Sequence, residues 1–199
     1  MKRLAILLSG RGSNFEAIAD SIGRGEIAAS IAVVISNRAE ARGAALAEER
    51  GIHCVVIPSK GVDREAYDRS LIQELQKHQV DLVCLAGYMR VLSATFVRAF
   101  PNRILNIHPS LLPAFPGLDP QHQALAYGVK VSGCTVHFVD EYLDAGPIIL
   151  QSAVPVEGED TEESLAQRIL QQEHRIYSEA IRIVLEGNYH IEGRRVILT

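Results

Sequence analysis

Short apolar runs punctuate the first half of the chain at 4–8, 31–35, 54–57 and 82–85, and segments of helical period separate them near 14–24, 39–50 and 63–77. The alternation predicts a βαβ progression. The runs are continuous rather than alternating, which is the pattern of strands covered on both faces. A fifth strand is expected at 104–108. The predicted class is therefore α/β, an open and mostly parallel Rossmann-like sheet with helices on both faces. Beyond residue 117 the pattern changes. A short helix at 121–127 precedes two strands, 131–139 and 148–156, that are set to pair antiparallel around an acidic loop. A long final helix is expected from Asp160 or Thr161 to about Leu185, with Asp160 as N-cap, Glu163 three residues on, and Gly187 closing it. No repeat or linker interrupts the chain, so 1–199 is one expected domain, with a subdomain boundary at most between 1–117 and 118–199.

Composition narrows the class further. The chain has 199 residues, of which 47% are hydrophobic and 22% charged, enough for one sizeable core. Its formal net charge is -4, with no dense basic tract, so neither a nucleic-acid groove nor an anionic membrane surface is indicated and a small-molecule substrate is favoured. Met1-Lys2-Arg3 is followed by only five apolar residues, too few for a signal-peptide core. Cys54, Cys84 and Cys134 stand singly in apolar runs, which fits buried thiols in a reducing cytoplasm better than disulfides or structural zinc.

Two places carry candidate chemistry at strand ends, where open α/β sheets gather ligands. The first, Ser9-Gly10-Arg11-Gly12-Ser13-Asn14, leaves strand one and opens helix one, so free amides and the helix dipole favour an anion. A phosphate-bearing small molecule, a dinucleotide and a plain tight turn are the three readings. The dinucleotide reading is weakened because Phe15 replaces the third glycine, and Ser36-Asn37-Arg38 lacks an acidic ribose hook. The second is Asn106-Ile107-His108-Pro109-Ser110. Strand alternation points Asn106 and His108 the same way, joining an amide donor to an imidazole, a pair suited to addition at a carbonyl. The alternative is a loop that satisfies its own backbone. Asp144 lies in a carboxylate-rich loop that reads either as a solvated turn or, folded against His108, as the group that orients its ring and favours its charged form. Glu173 falls within the apolar stripe of Leu165, Ile169, Ile176, Ala180 and Val184, where a carboxylate needs either an internal partner or ligand hydroxyls. A metal held by His108, His122 and His137 lacks any tight ligand spacing, so no metal is expected.

The stretches LLSGRGSN (7–14), LAGYMRVL (85–92), NIHPSLLPAFPG (106–117) and GCTVHFVDEYLDAGPIILQ (133–151), taken in this order, resemble the phosphoribosylglycinamide formyltransferase family, the folate-dependent glycinamide ribonucleotide transformylases. The likeness runs from Leu7 to about Tyr177. It implies the formyltransferase fold and transfer of a formyl group from 10-formyltetrahydrofolate, as cosubstrate, to the amine of 5′-phosphoribosylglycinamide in purine synthesis. It further implies that Gly12, Ser13 and Asn14 hold the substrate phosphate and that Glu173 binds near the ribose. Met89, Arg90, Val91 and Leu92 would lie beside the folate pterin, with Arg64 a further contact. The loop of Asp140, Glu141, Tyr142, Leu143 and Asp144 would wrap the pterin, and Asn106, His108 and Asp144 would form the catalytic trio. Neither metal, membrane nor nucleic acid enters this reading, and a monomer or weak homodimer is expected. Ser178 replaces a common proline, and 118–121 departs from common versions. Rival readings are a formyltetrahydrofolate hydrolase, which would carry an extra N-terminal domain, a methionyl-tRNA formyltransferase with a C-terminal extension, and a non-catalytic phosphosugar or folate-binding module.

Overall fold

The computed structural model describes residues 1–199 as two compact units, Met1–Asn106 and Ile107–Thr199. The division falls earlier in the chain than the change of pattern near residue 117.

The first unit alternates strand and helix as the apolar runs predict. Its strands are β1 (Lys2–Leu8), β2 (Ala29–Ser36), β3 (Cys54–Val56), β4 (Leu82–Leu85) and β5 (Ile104–His108), whose last two residues enter the second unit. They lie in the order β3-β2-β1-β4-β5, and every pairing is parallel. Leu4 to Leu8 and Leu82 to Leu85 are buried at every position. Because successive side chains point to opposite faces, both faces of this sheet are covered. The helices are α1 (Ser13–Gly23), α2 (Arg42–Glu49), α3 (Arg64–Lys77) and α4 (Ala94–Ala99). Helix α4 escaped the sequence reading because six residues are too few to display a 3.6-residue period. Ser93 caps it by accepting from the Phe96 amide.

The second unit holds α5 (Pro120–Tyr127), β6 (Val131–Phe138), β7 (Ile148–Pro155), α6 (Glu162–Glu186), β8 (Tyr189–Glu192) and β9 (Arg195–Leu198). Strands β6 and β7 pair antiparallel as expected, and α6 packs on both. Strands β8 and β9 form a hairpin that the sequence reading omitted, with β9 joined to β7 at Ile148 and Arg195. Its signal is present, since Tyr189 and Ile191 are half-buried between exposed His190 and Glu192 before the Gly193 turn. The cap of α6 also needs correction. Thr161, not Asp160, is the N-cap: its hydroxyl accepts from the Ser164 amide at 3.2 Å while the Ser164 hydroxyl accepts from the Thr161 amide at 3.0 Å. The Asp160 carboxylate instead takes two bonds from Arg168, at 2.7 and 2.9 Å, and one from the Ser164 hydroxyl at 2.7 Å. Those charge-assisted bonds hold its carboxyl well below the usual range. Gly187 ends the helix in the left-handed conformation, and the helix runs unbroken through Ser178. No helix of the chain is long and apolar enough to cross a membrane.

Candidate active site

In the first unit, strand β1 delivers the chain into a turn made possible by missing side chains. Gly12 is the N-cap of α1 with φ of 83°, and no side chain caps the helix there. A Cβ built on Gly12 would lie 2.6 Å from the Gly43 Cα, so only glycine lets the turn lie against the start of α2. The Gly43 amide, in turn, donates to the Gly10 carbonyl at 2.9 Å. Ser13 is half-buried and Asn14 buried in the first turn of α1. What results is a helix start whose N-cap residue offers no side-chain acceptor, the arrangement that suits a phosphate.

The segment after β4 is laced to the same region. The Met89 amide donates to the Ser9 hydroxyl at 2.8 Å, and the Ser9 amide donates to the Gly87 carbonyl at 3.1 Å. Met89 and Val91 are exposed, with relative accessibilities of 62% and 52%, whereas Leu92 is buried. Arg90 turns away from solvent. Its guanidinium donates to the Ser59 and Val62 carbonyls at 3.1 and 3.0 Å and stacks over the Tyr67 ring at 4.6 Å. This geometry braces the loop after β3 with the Arg90 side chain, while the Met89 and Val91 side chains stay exposed. Arg64 is exposed on the first turn of α3, next to the Asp63 N-cap.

In the second unit, the candidate site is built from side chains rather than bare amides. His108 is buried at the end of β5, and Asn106, the last residue of the first unit, is half-buried two residues earlier on the same strand face. The His108 Nδ1 lies 3.5 Å from Asp144 Oδ2, and its Nε2 lies 2.9 Å from the Phe115 carbonyl oxygen. Both ring nitrogens therefore face oxygen acceptors. The same carboxylate oxygen is held from a second direction, since Asp144 Oδ2 also accepts from the Gly117 amide at 2.8 Å. Asp144 itself adopts φ of 47°, a conformation that aspartate tolerates better than most residues. Gly146 permits the close return of the loop: a Cβ there would sit 1.8 Å from the Phe138 carbonyl oxygen.

The loop that brings Phe115 to His108 is pinned by residues absent from the sequence-based assignment. Thr135, buried on β6, donates its hydroxyl to the Ser110 carbonyl at 2.7 Å and accepts from the Leu112 amide at 3.0 Å. Gln151 on β7 donates to the Leu112 carbonyl at 2.9 Å and to the Thr135 hydroxyl at 3.0 Å. The Ser110 hydroxyl closes the loop on the Ala114 carbonyl at 2.6 Å. Thr135 and Gln151 had no local motif to reveal them, because their partners lie 16 to 39 residues away.

His137 adds a second imidazole beside the same carboxylate, with Nε2 3.8 Å from Asp144 Oδ1. Its Nδ1 donates to the Phe138 carbonyl at 2.8 Å, and burial pushes its pKa down, which favours the neutral ring. His122 is elsewhere, exposed and paired with Glu162 at 2.7 Å, so no His108-His122-His137 cluster forms. Asp140 caps its own loop by accepting from the Tyr142 amide at 2.9 Å, while Glu141, Tyr142 and Leu143 project into solvent. Two adjacent exposed apolar side chains on an ordered turn make a surface suited to a flat ring. Glu173 is buried in the stripe of α6 that faces β6, close enough to Cys134 that its charge, after burial itself, helps push the thiol up to about 12. Cys134 is thus a protonated core residue and no nucleophile.

The formyl transferase family model matches residues 2–181. Phosphoribosylglycinamide formyltransferase of Bacillus subtilis is 42% identical over 189 residues, covering 94% of this chain and 97% of that protein. Trifunctional purine biosynthetic protein adenosine-3 of Drosophila melanogaster is 49% identical over 94% of this chain, which spans only 14% of that protein's length. Among solved structures, glycinamide ribonucleotide transformylase 1 from Symbiobacterium toebii superposes with a TM-score of 0.97 at 55% identity, over 100% of this chain and 94% of that one. A formyltetrahydrofolate deformylase from Pseudomonas syringae shares the fold at a TM-score of 0.93 and 31% identity, over 99% of this chain and 65% of that one. The family match over residues 2–181 and the 42% identity over 97% of a phosphoribosylglycinamide formyltransferase place this chain in the formyl transferase family, among the phosphoribosylglycinamide formyltransferases.

Proposed function

We propose that the chain transfers the formyl group of 10-formyltetrahydrofolate to the amine of 5′-phosphoribosylglycinamide, giving 5′-phosphoribosyl-N-formylglycinamide and tetrahydrofolate, in the cytoplasm. The observation that carries this reading is His108, held between the Asp144 carboxylate at 3.5 Å and the Phe115 carbonyl at 2.9 Å on the strand that bears Asn106. The substrate amine attacks the formyl carbon, forming a C–N bond and turning the carbonyl oxygen into an oxyanion. Asn106 donates to that oxygen together with His108, whose Nε2–H turns from the Phe115 carbonyl to the substrate, the largest stabilising effect available at such a centre. Collapse then breaks the bond between the formyl carbon and the folate nitrogen. The proton lost by the amine reaches that nitrogen through His108 or water, and no covalent enzyme intermediate forms. Asp144 keeps the ring oriented and its charge balanced.

The other roles follow the local chemistry. Gly12, Ser13 and Asn14 take the phosphate on the first amides of α1. Glu173 accepts from ribose hydroxyls. Met89, Val91, Leu92 and Arg64 line the folate, Arg90 braces that segment, and Asp140 to Leu143 lie over the pterin. The same fold in a formyltetrahydrofolate deformylase supports a second reading, in which water replaces the amine. The test follows tetrahydrofolate release by purified protein with and without phosphoribosylglycinamide. Release that requires the amine supports the transferase; equal release without it makes the chain a hydrolase; no release in either case leaves a binding module.

A further inference from the structure

Away from these residues, the first unit gathers two histidines and a glutamate at the far end of α3. Glu74 and His78 are four residues apart, so the helix sets them one above the other, with Glu74 Oε1 3.1 Å from His78 Nε2. His53, in the short link before β3, brings its ring centroid to 5.1 Å from that of His78, tilted by 42° rather than stacked. One ligand atom from each of the three residues lies within 4.8 Å of the others.

We propose that His53, Glu74 and His78 form a divalent transition-metal site, of the zinc or cobalt class, that clamps the link before β3 to the end of α3. Two imidazoles and one carboxylate are a borderline donor set that suits such ions and disfavours calcium or magnesium. For bonds of about 2.0–2.2 Å, ligand atoms at a tetrahedral centre sit about 3.3 Å apart. The Glu74–His78 edge, at 3.1 Å, is already at that spacing. The remaining adjustment falls to His53, which is exposed and can swing inward. Glu74 and His78 are largely sheltered, with side-chain accessibilities of 18% and 19%, so the helical pair forms a preset bite. Lys77 opposes a cation here, but its ammonium bonds the other carboxylate oxygen, Oε2, at 2.9 Å and lies 69% exposed, free to turn away. The His78 carbonyl accepts from Arg3 Nε at 2.7 Å, which fixes the backbone under the ring. Three protein ligands leave a position for water, so the ion should exchange readily.

The test titrates the full chain, stripped by chelator, with zinc chloride in a calorimeter and with cobalt chloride in a spectrophotometer. One zinc per chain is expected, with cobalt giving the visible absorption of a low-symmetry four- or five-coordinate site. His53→Ala and His78→Gln should each weaken zinc at least tenfold, whereas His122→Ala should not. Both variants should keep wild-type formyl transfer and circular dichroism, which separates this site from the proposed activity and from misfolding. Absence of one-to-one binding, a stoichiometry of one ion per two chains, or equal affinity in the His53 and His78 variants overturns the assignment.

Discussion

The two units solve the problem of holding a ligand in opposite ways. In Met1–Asn106 the candidate phosphate site is backbone: Gly12 and Gly43 approach so closely that neither tolerates a side chain, and the amides of α1 do the work. In Ile107–Thr199 the candidate chemistry is side chain: His108, Asp144, Thr135 and Gln151 build a hydrogen-bonded frame from four separate stretches. A backbone site is set by what is absent and binds charge without titrating. A side-chain frame moves protons, and it depends on residues far apart in sequence. The first unit should therefore govern substrate affinity and the second the chemical step.

Replacing Asp144 by Ala should break this contrast most visibly. It removes the acceptor of both His108 Nδ1 and the Gly117 amide, and the expected loss is about 10²-fold in kcat with little change in KM, read by steady-state kinetics. Gly12→Ala should do the reverse. The new Cβ meets Gly43 at 2.6 Å in a left-handed backbone, so the turn must shift, and KM for phosphoribosylglycinamide should rise about tenfold with kcat nearly kept. Thr135→Val sharpens the comparison at smaller scale. Loss of the hydroxyl frees the 110–112 segment and, through it, Phe115, so kcat should fall several-fold, with recovery in Thr135→Ser.

Protonation supplies a fourth contrast, because the buried imidazoles, His108 and His137, both lie in the second unit. Burial lowers the folded-state pKa of His137 below its value in the unfolded chain. Between those two values the unfolded chain holds the extra proton, so the contribution to stability is present above about pH 6.5 and is lost as pH falls below it. His137→Gln should flatten that acid limb in a plot of urea midpoint against pH.

How far the sequence reveals this architecture follows from the range of the interactions. The buried strands and the Gly12 turn were readable because continuous apolar runs and a glycine opening a helix are local signals, and β4 and β5 fall on their expected residues. Strand alternation likewise brings Asn106 to the same face as His108. Thr135, Gln151 and the Phe115 carbonyl were not readable, since each acts through a partner brought in by β6, β7 or a looped return. Asp160 misled for a related reason. Its local pattern is that of a cap, but Arg168, two helical turns on, competes for the carboxylate and wins. The internal bonds of Arg90 were likewise not readable, since the Ser59 and Val62 carbonyls that its guanidinium meets lie 31 and 28 residues away.

The most direct test of the account is a double-mutant cycle on Asn106 and His108, read as the single-turnover rate of formyl transfer. Two donors on one developing oxyanion predict losses of about 10²–10³-fold for Asn106→Ala and for His108→Ala, with the double variant losing much less than the product of the two. Wild-type rate in His108→Ala, or two losses that multiply fully, would contradict it.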